Sequence, residues 1–271
     1  MPSFSVFPTI SIVRYPTMKE TAINVNGTKI VSFHGGEGPE LILLPSAGGR
    51  GKEFLPLFNL LSPRFTLFTL DYPGFGRSEE STGIDGVETL AEFIQSWIET
   101  LRLKSFFLAG FSMGGALALQ LALNRPAQIR KLSLIATAAG KLAHVKMIKP
   151  AGLGMKEILN KFYFRPEIKE RIQREKLTAE EKREIHRSSQ AFAKMADHGK
   201  VFVDISSRLR EIQIPSLVIG AAEDQAVPPP YQEAIFKGLP QARLKIYPES
   251  GHFVIIERPE ELASDLTAFF D

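Results

Sequence analysis

One hydroxyl group between glycines, in Gly110-Phe-Ser-Met-Gly114, is the feature of this sequence best suited to chemistry. An almost continuous apolar run, Ser105 to Ala109, precedes it, and helix-forming residues follow it. Glycine permits the tight backbone of a strand-to-helix turn, and a serine on such a turn can be an exposed nucleophile. The alternative is a turn that merely requires small residues. The pattern nominates Ser112 as a nucleophile and requires partners elsewhere in the chain.

A serine attacks well only when a base removes its proton, and imidazole does so best when a carboxylate orients the ring. Of five histidines, His252 directly follows the last predicted strand, in a loop that can reach the carboxyl edge of a sheet. Asp224 follows the preceding predicted strand in a proline-bounded loop at the same edge, with Glu223 beside it as the alternative acid. We therefore predict that Ser112, Asp224 and His252 act together.

Short apolar runs alternate with helical patterns along the chain. Residues 20–33 indicate a hairpin that turns at Asn26-Gly27. Later strands are apolar at successive positions, which is typical of a parallel sheet covered on both faces. They are predicted at Leu41 to Leu44, Phe65 to Leu70, Ser105 to Ala109, Leu132 to Ala136, Leu217 to Ile219 and Arg243 to Tyr247, with helices near 52–61, 86–101, 113–124, 229–237 and 259–270. The predicted class is α/β, with a mostly parallel central sheet, an antiparallel N-terminal hairpin and helices on both faces.

The alternation stops once, between residues 141 and 207, where strands are absent and charge rises to 15 Lys and Arg against 9 Asp and Glu. Thr178 and Glu181 have the spacing of a capping box, and Ile185, Phe192 and Met195 follow at helical spacing. We predict a core domain of residues 1–140 and 208–271, and a helical cap of residues 141–207. The basic excess of the cap is interpreted as a solvated face, with anion binding as the alternative.

Composition excludes several classes of function. The chain has 271 residues, a net charge of +3 and no cysteine, so thiolate catalysis, disulfides and cysteine-bound metals are excluded. The charge is too small and too evenly spread to favour nucleic acid, and no apolar stretch is long enough to predict a membrane span. The N-terminus lacks the pattern of a signal peptide, so a cytoplasmic protein is expected. No metal and no organic cofactor is implied.

Four short motifs give the sequence a resemblance to the α/β-hydrolase superfamily that extends over nearly the whole chain outside the first 19 residues and the cap. They are Asp71 to Ser78 (DYPGFGRS), Gly110 to Gly115 (GFSMGG), Glu223 to Pro228 (EDQAVP) and Ser250 to His252 (SGH). Each motif alone is weak, and it is their order and spacing that make the resemblance specific. The resemblance implies that Ser112 is the nucleophile, His252 the general base and then acid, and Asp224 the group that orients the imidazole.

The same resemblance implies two backbone N–H donors for the oxyanion of the reaction intermediate. The N–H group of Met113 follows the nucleophile directly. The second donor comes from the loop after Leu41 to Leu44, where the family usually has His-Gly and this chain has Pro45-Ser46. Ala47 then takes the donor position.

A serine nucleophile implies acyl chemistry, so we expect hydrolysis of a small carboxylic ester or lactone through an acyl-enzyme. The likeness is to esterases, enol-lactonases and cofactor-free haloperoxidases. Carbon–carbon hydrolysis of a dienoate is an alternative reaction, and a non-catalytic small-molecule receptor is an alternative of another class. Candidate substrate-binding residues are Phe111, Ser46, Phe162 and Tyr163, although aromatic residues of small caps such as Tyr163 also occur as packing.

Overall fold

In the computed structural model the protein is described over residues 18–124, 126–140, 155–197, 200–201 and 204–271. Within these ranges eight strands form one sheet. They are β1 (Lys19–Val25), β2 (Thr28–Gly35), β3 (Glu40–Leu44), β4 (Thr66–Leu70), β5 (Phe106–Phe111), β6 (Ile129–Ile135), β7 (Ser216–Ala221) and β8 (Ala242–Tyr247).

The sheet has the strand order β1-β2-β4-β3-β5-β6-β7-β8. β1 pairs antiparallel with β2, and β2 pairs antiparallel with β4, whereas all pairs from β4 to β8 are parallel. The hairpin turns at Asn26 and Gly27, whose φ angles of 51° and 85° are both left-handed. Such a turn matches the twist of the two strands it joins, so the predicted hairpin is confirmed.

Helices cover both faces of the sheet. The described helices are α1 (Leu55–Leu61), α2 (Val87–Thr100), α3 (Met113–Asn124), α4 (Met155–Phe162), α5 (Pro166–Arg174), α6 (Ala179–Asp197), α7 (Pro229–Gly238), α8 (Val254–Glu257) and α9 (Pro259–Phe270). Every residue of β5 and β7 is buried, as expected for parallel strands between two helical layers. In the described part of the chain, buried side chains form two core clusters, one containing residues of α2 and α3 and the other residues of α1 and α9. The predicted fold class is confirmed.

The elements differ from the predicted ones in detail. The helix predicted near residues 52–61 begins as a 3-10 turn, Gly51–Phe54, before α1. β8 alternates between partly buried and exposed residues because it is the last strand of the sheet. The short helix α8 was not predicted, because its sequence Val-Ile-Ile-Glu has the composition of a strand.

Among the described residues between β6 and β7, the helices α4 to α6 lie in the segment predicted to be a cap. The predicted capping box is present: the Thr178 N–H donates to Glu181 Oε2 at 2.7 Å, and the Glu181 N–H donates to Thr178 Oγ1 at 3.2 Å. Ile185 and Met195 are buried. Residues 141–154, 198–199 and 202–203 lie outside the described residues, and the cap boundaries remain a prediction.

An ion-pair cluster joins α6 to the rest of the protein. Glu184 of α6 is 5% exposed and pairs with Arg77 at 3.2 Å, Lys52 at 3.6 Å and Arg50 at 3.9 Å. Three cations around one buried carboxylate offset the cost of removing it from water. Within the described part of the chain, no helix combines the length and apolarity needed to cross a membrane.

Candidate active site

Ser112 occupies a strained turn between β5 and α3. Its φ angle is 54°, in the left-handed region that a non-glycine residue rarely adopts. A Cβ atom on Gly110 would lie 2.2 Å from the Gly114 carbonyl oxygen, and one on Gly114 would lie 2.1 Å from the Leu44 carbonyl oxygen. Only glycine allows these close backbone approaches, which explains the two glycines that flank the serine. The side chain of Ser112 therefore stands at the carboxyl edge of the sheet, and the residue is partly exposed.

His252 lies in the loop after β8, within hydrogen-bonding distance of Ser112. Its Nε2 atom is 3.0 Å from Ser112 Oγ, and its Nδ1 atom is 2.8 Å from Asp224 Oδ2. An ionised carboxylate accepts but does not donate, so Asp224 favours the tautomer with hydrogen on Nδ1. In that tautomer Nε2 is free to accept the proton of the serine hydroxyl.

Asp224 is itself held in place by the loop after β7. Its second oxygen, Oδ1, accepts hydrogen bonds from the N–H groups of Ala226 and Val227, each at 2.8 Å. The neighbouring acid, Glu223, faces another partner, because its Oε2 atom accepts from the Ser250 N–H at 2.8 Å. The structure thus brings Asp224, not Glu223, to the imidazole.

The two predicted oxyanion donors lie on segments that meet at Ser112. Met113 begins α3, where backbone N–H groups are unpaired and the helix dipole favours negative charge. Ala47 belongs to the loop after β3. The start of this loop contacts the turn between β5 and α3, because Gly114 lies close to the Leu44 carbonyl. Neither the Met113 nor the Ala47 N–H donates a hydrogen bond to another described residue.

The loop after β3 is braced by Glu53. The Ser46 hydroxyl donates to Glu53 Oε2 at 2.7 Å, and the Ser46 N–H donates to Glu53 Oε1. Ser46 Oγ also accepts from the Gly48 N–H at 3.2 Å, and the Tyr72 hydroxyl donates to the Pro45 carbonyl at 2.7 Å. Burial raises the pKa of Glu53 to about 7, against the lowering effect of the Ser46 hydrogen bonds. In the structure, therefore, the polar groups of the predicted substrate residue Ser46 are engaged within the protein.

Aromatic rings surround the imidazole. The ring centres of Phe111, Phe253 and Phe162 lie 5.3 Å, 5.6 Å and 5.7 Å from that of His252. Phe111 is fully buried, and Phe162 is 5% exposed. Tyr163 stacks on Phe253 at 4.9 Å, and its buried hydroxyl has no hydrogen-bond partner among the described residues. The predicted substrate residues Phe111, Phe162 and Tyr163 therefore lie close to His252 or to its neighbour.

The motif from Asp71 to Ser78 forms a supporting loop. Asp71 accepts hydrogen bonds from the Gly51 N–H at 2.9 Å and the Arg77 N–H at 3.0 Å. A Cβ atom on Gly76 would lie 2.2 Å from Asp71 Oδ2, so this position requires glycine. Burial raises the pKa of Asp71 to about 6, and the two N–H groups oppose that rise. The motif forms the loop after β4, and its Asp71 connects that loop with the loop after β3.

Two carboxylates of this region were missed by sequence reasoning, Glu53 and Glu257. Glu257 is 2% exposed and accepts hydrogen bonds from backbone N–H groups, among them that of Gly251 at 2.5 Å. An acid directly after the apolar run Val254 to Ile256 was the available signal, because a charge so placed is carried into the protein interior. No metal cluster of three or more acidic or histidine side chains occurs within the described ranges.

The fold, with a serine on the strained turn between β5 and α3, defines a hydrolase-type α/β protein. The sequence model of the Alpha/beta hydrolase family matches residues 41–265, and the chain belongs to that family. The members to which it is similar include hydrolases of several substrate classes, so the family supports hydrolase activity at this coarse level.

Among curated relatives, the chain is 26% identical over 249 residues to the "Putative carbamate hydrolase RutD" of Rhizobium rhizogenes, covering 87% of this chain and 95% of the relative. It is 25% identical over 284 residues to the 2-hydroxy-6-oxononadienedioate/2-hydroxy-6-oxononatrienedioate hydrolase of Paraburkholderia phymatum, covering 96% and 98%. The crystal structure of the enol-lactonase from Burkholderia xenovorans superposes with a TM-score of 0.79 at 20% identity, over 92% of this chain and 99% of that one. At that identity the structural likeness shows the fold alone.

Proposed function

We propose that this protein is a serine hydrolase that cleaves a small carboxylic ester or lactone through an acyl-enzyme, with Ser112, His252 and Asp224 as its catalytic residues. The observation that carries the proposal is the continuous hydrogen-bonded chain from Ser112 Oγ through the imidazole to Asp224, with distances of 3.0 Å and 2.8 Å. The partly exposed serine at a left-handed φ is a second support.

In the first half of the reaction, Ser112 Oγ attacks the carbonyl carbon while His252 Nε2 takes the hydroxyl proton. The carbonyl π electrons move to oxygen, and the N–H groups of Met113 and Ala47 stabilise the resulting oxyanion. When the intermediate collapses, the bond to the leaving oxygen breaks and His252 returns the proton to that oxygen. An alcohol leaves, or a lactone ring opens, and the acyl group stays on Ser112.

In the second half, a water molecule attacks the acyl carbon and gives its proton to His252. Collapse of this intermediate breaks the bond to Ser112 Oγ, which takes the proton back. The carboxylic acid is released and the free enzyme is restored. Asp224 keeps the imidazole in one orientation through both halves and stabilises its positive charge.

Labelling with a fluorophosphonate tests the proposal directly, because such a reagent phosphonylates an activated serine. We expect one label per folded molecule, located on Ser112 and absent in Ser112→Ala. The matched control is Ser96→Ala, a serine on α2 whose hydroxyl donates to the Glu92 carbonyl and not to the imidazole, which should label like the parent. A folded protein that does not label would contradict the proposal and support the non-catalytic receptor.

A second candidate reaction is carbon–carbon hydrolysis of a dienoate. It is supported by the 25% identity to the Paraburkholderia phymatum hydrolase over 96% of this chain. The two reactions are separated by a panel of p-nitrophenyl esters of graded acyl length, one lactone and one dienoate. A kcat/KM on the dienoate that exceeds every ester and lactone value would replace the ester proposal.

A further inference from the structure

Three consecutive residues of the histidine loop, 250–252, each donate a hydrogen bond to a different carboxylate. The three pairs are Ser250 N to Glu223 Oε2 at 2.8 Å, Gly251 N to Glu257 Oε2 at 2.5 Å, and His252 Nδ1 to Asp224 Oδ2 at 2.8 Å. Each of these three residues of the loop that carries His252 is therefore held by its own carboxylate partner. Two of these acids, Glu223 and Asp224, belong to the single loop after β7.

Glu257 differs from the other two because it also holds the segment that joins α4 to α5. Its Oε1 atom accepts hydrogen bonds from the N–H groups of Phe164 and Arg165, each at 2.8 Å. Its Oε2 atom accepts from Gly251 and, at 3.4 Å, from the Ser250 hydroxyl. One carboxylate thus connects the histidine loop with the segment 162–165, which consists of the last residue of α4 and the three residues before α5.

Close backbone packing accompanies this connection. A Cβ atom on Gly251 would lie 2.6 Å from the Phe162 carbonyl oxygen and 2.9 Å from Tyr163 Cα. The Phe253 N–H donates to the same Phe162 oxygen at 3.4 Å. The Phe162 ring also meets the His252 ring edge-on at 5.7 Å. A shift of the segment 162–165 would therefore displace Gly251 and Phe253, the residues before and after His252.

We propose that Glu257 is a positioning residue, which holds the imidazole of His252 and the segment 162–165 in one fixed relation. This inference rests on the proposed function, because it assigns the effect of Glu257 to the reaction at Ser112. Glu257 does not touch the reacting atoms and acts through Gly251, the residue before His252. Its carboxylate has the geometry for this role, since each oxygen serves one of the two segments.

A carboxylate suits this position better than an amide. A glutamine has one acceptor oxygen, and its NH₂ group would face backbone N–H donors at the other oxygen site. One segment would then lose its hydrogen bonds, and a buried donor without a partner destabilises that arrangement. Burial raises the pKa of Glu257, while hydrogen bonds from Arg165, Gly251 and Phe164 lower it.

The test is Glu257→Gln, assayed with p-nitrophenyl acetate and with a fluorophosphonate. Because a displacement of about 1 Å at a catalytic group costs about 100-fold in rate, we expect kcat and the labelling rate to fall by about 10- to 100-fold. KM for this small ester should change by less than about threefold. The matched control is Glu260→Gln, an exposed acid three residues further on, which should behave like the parent.

Amide hydrogen exchange in the unaltered protein is a second test, which holds even if the variant does not fold. The N–H groups of Phe164, Arg165 and Gly251 share one acceptor residue, so they should open together with protection factors that agree within about threefold. In Glu257→Gln, at least one of the two segments should lose protection while the interior of β5 keeps it.

Failure of this inference can be told apart from failure of the proposed function. If Ser112 of the parent does not label, the proposed function fails. If the parent labels, and Glu257→Gln labels at the same rate with the same kcat, the positioning role is wrong. The role is also wrong if Phe164 and Arg165 exchange about 100-fold faster than Gly251 in the parent.

Discussion

Asp224 receives hydrogen bonds on both of its oxygens, one from the imidazole and two from backbone N–H groups. Asp224→Asn keeps the shape of the side chain but places an NH₂ group where an acceptor is needed, which favours the wrong imidazole tautomer. We expect kcat to fall by about 10⁴-fold with the fold intact, measured by ester hydrolysis alongside circular dichroism.

The neighbouring acid provides the control for this substitution. Glu223→Gln retains an oxygen that can accept the Ser250 N–H, so its kcat should stay within about tenfold of the parent. If Glu223→Gln caused the larger loss and Asp224→Asn the smaller one, the acid would be wrongly assigned.

The sequence suffices to predict some of these residues and not others. Ser112, Asp224 and His252 could be nominated because each follows a predicted strand and strand ends of a parallel sheet lie at one edge. Glu53 and Glu257 could not be assigned roles, because Glu257 is bonded mainly by backbone N–H groups and Glu53 by the N–H and hydroxyl groups of a single serine. Nearly every residue has a backbone N–H group, so residue types do not indicate which N–H groups will donate to these carboxylates.

At the scale of elements, the turn from β5 to α3 depends on contacts that only glycine allows. Gly114→Ala would place a Cβ atom 2.1 Å from the Leu44 carbonyl oxygen and 2.5 Å from that of Pro45. We expect the free energy of unfolding to fall by about 1–3 kcal/mol, because backbone atoms must move apart. The displaced atoms lead into the loop of Ala47, so fluorophosphonate labelling should slow by about 100-fold. Denaturant unfolding and labelling rates measure the two effects.

Gly83→Ala is the matched control for this change. Gly83 has a φ of 82°, and a Cβ atom there would meet nothing within 4 Å. The free energy of unfolding should fall by about 1–2 kcal/mol, which is the cost of a left-handed φ for alanine, and the labelling rate should not change. Equal labelling rates for the two variants would contradict the connection between Gly114 and the loop of Ala47.

Element boundaries illustrate where periodicity is informative. The completely buried strands β5 and β7 were predicted from apolar residues at successive positions. The short helix α8 has the same kind of composition, yet it forms a helical turn between the histidine loop and α9. A run of four residues is too short for hydrophobic periodicity alone to distinguish a helix from a strand.

At the scale of the whole molecule, buried acids make stability depend on pH in an unusual direction. The pKa of Glu53 is raised to about 7 and that of Asp71 to about 6. From about pH 4 to about pH 7 the folded state therefore binds more protons at these groups than the unfolded state. Their contribution to stability is fully present below about pH 4 and is lost as the pH rises through 7.

A variant without the ionisable group isolates this effect. Glu53→Gln is neutral at every pH, so its Tm relative to that of the parent should rise from about pH 5 and level off above about pH 7. The corresponding free energy is at most about 3 kcal/mol, since one pKa unit equals about 1.4 kcal/mol. Thermal unfolding in a pH series measures it, with the exposed Glu92→Gln as the control. A Tm difference independent of pH would contradict a raised pKa at Glu53.

The hydrogen bond between Ser112 and His252 joins positions 140 residues apart. Closing a flexible loop of that length costs about 4 kcal/mol of chain entropy, which the elements in between must first offset by docking. A chain diluted out of denaturant should regain its helical signal early and its reactive serine late. Ser112 should thus stay unreactive toward the labelling reagent until the last strand has docked, so the onset of labelling during refolding would report completion of the fold.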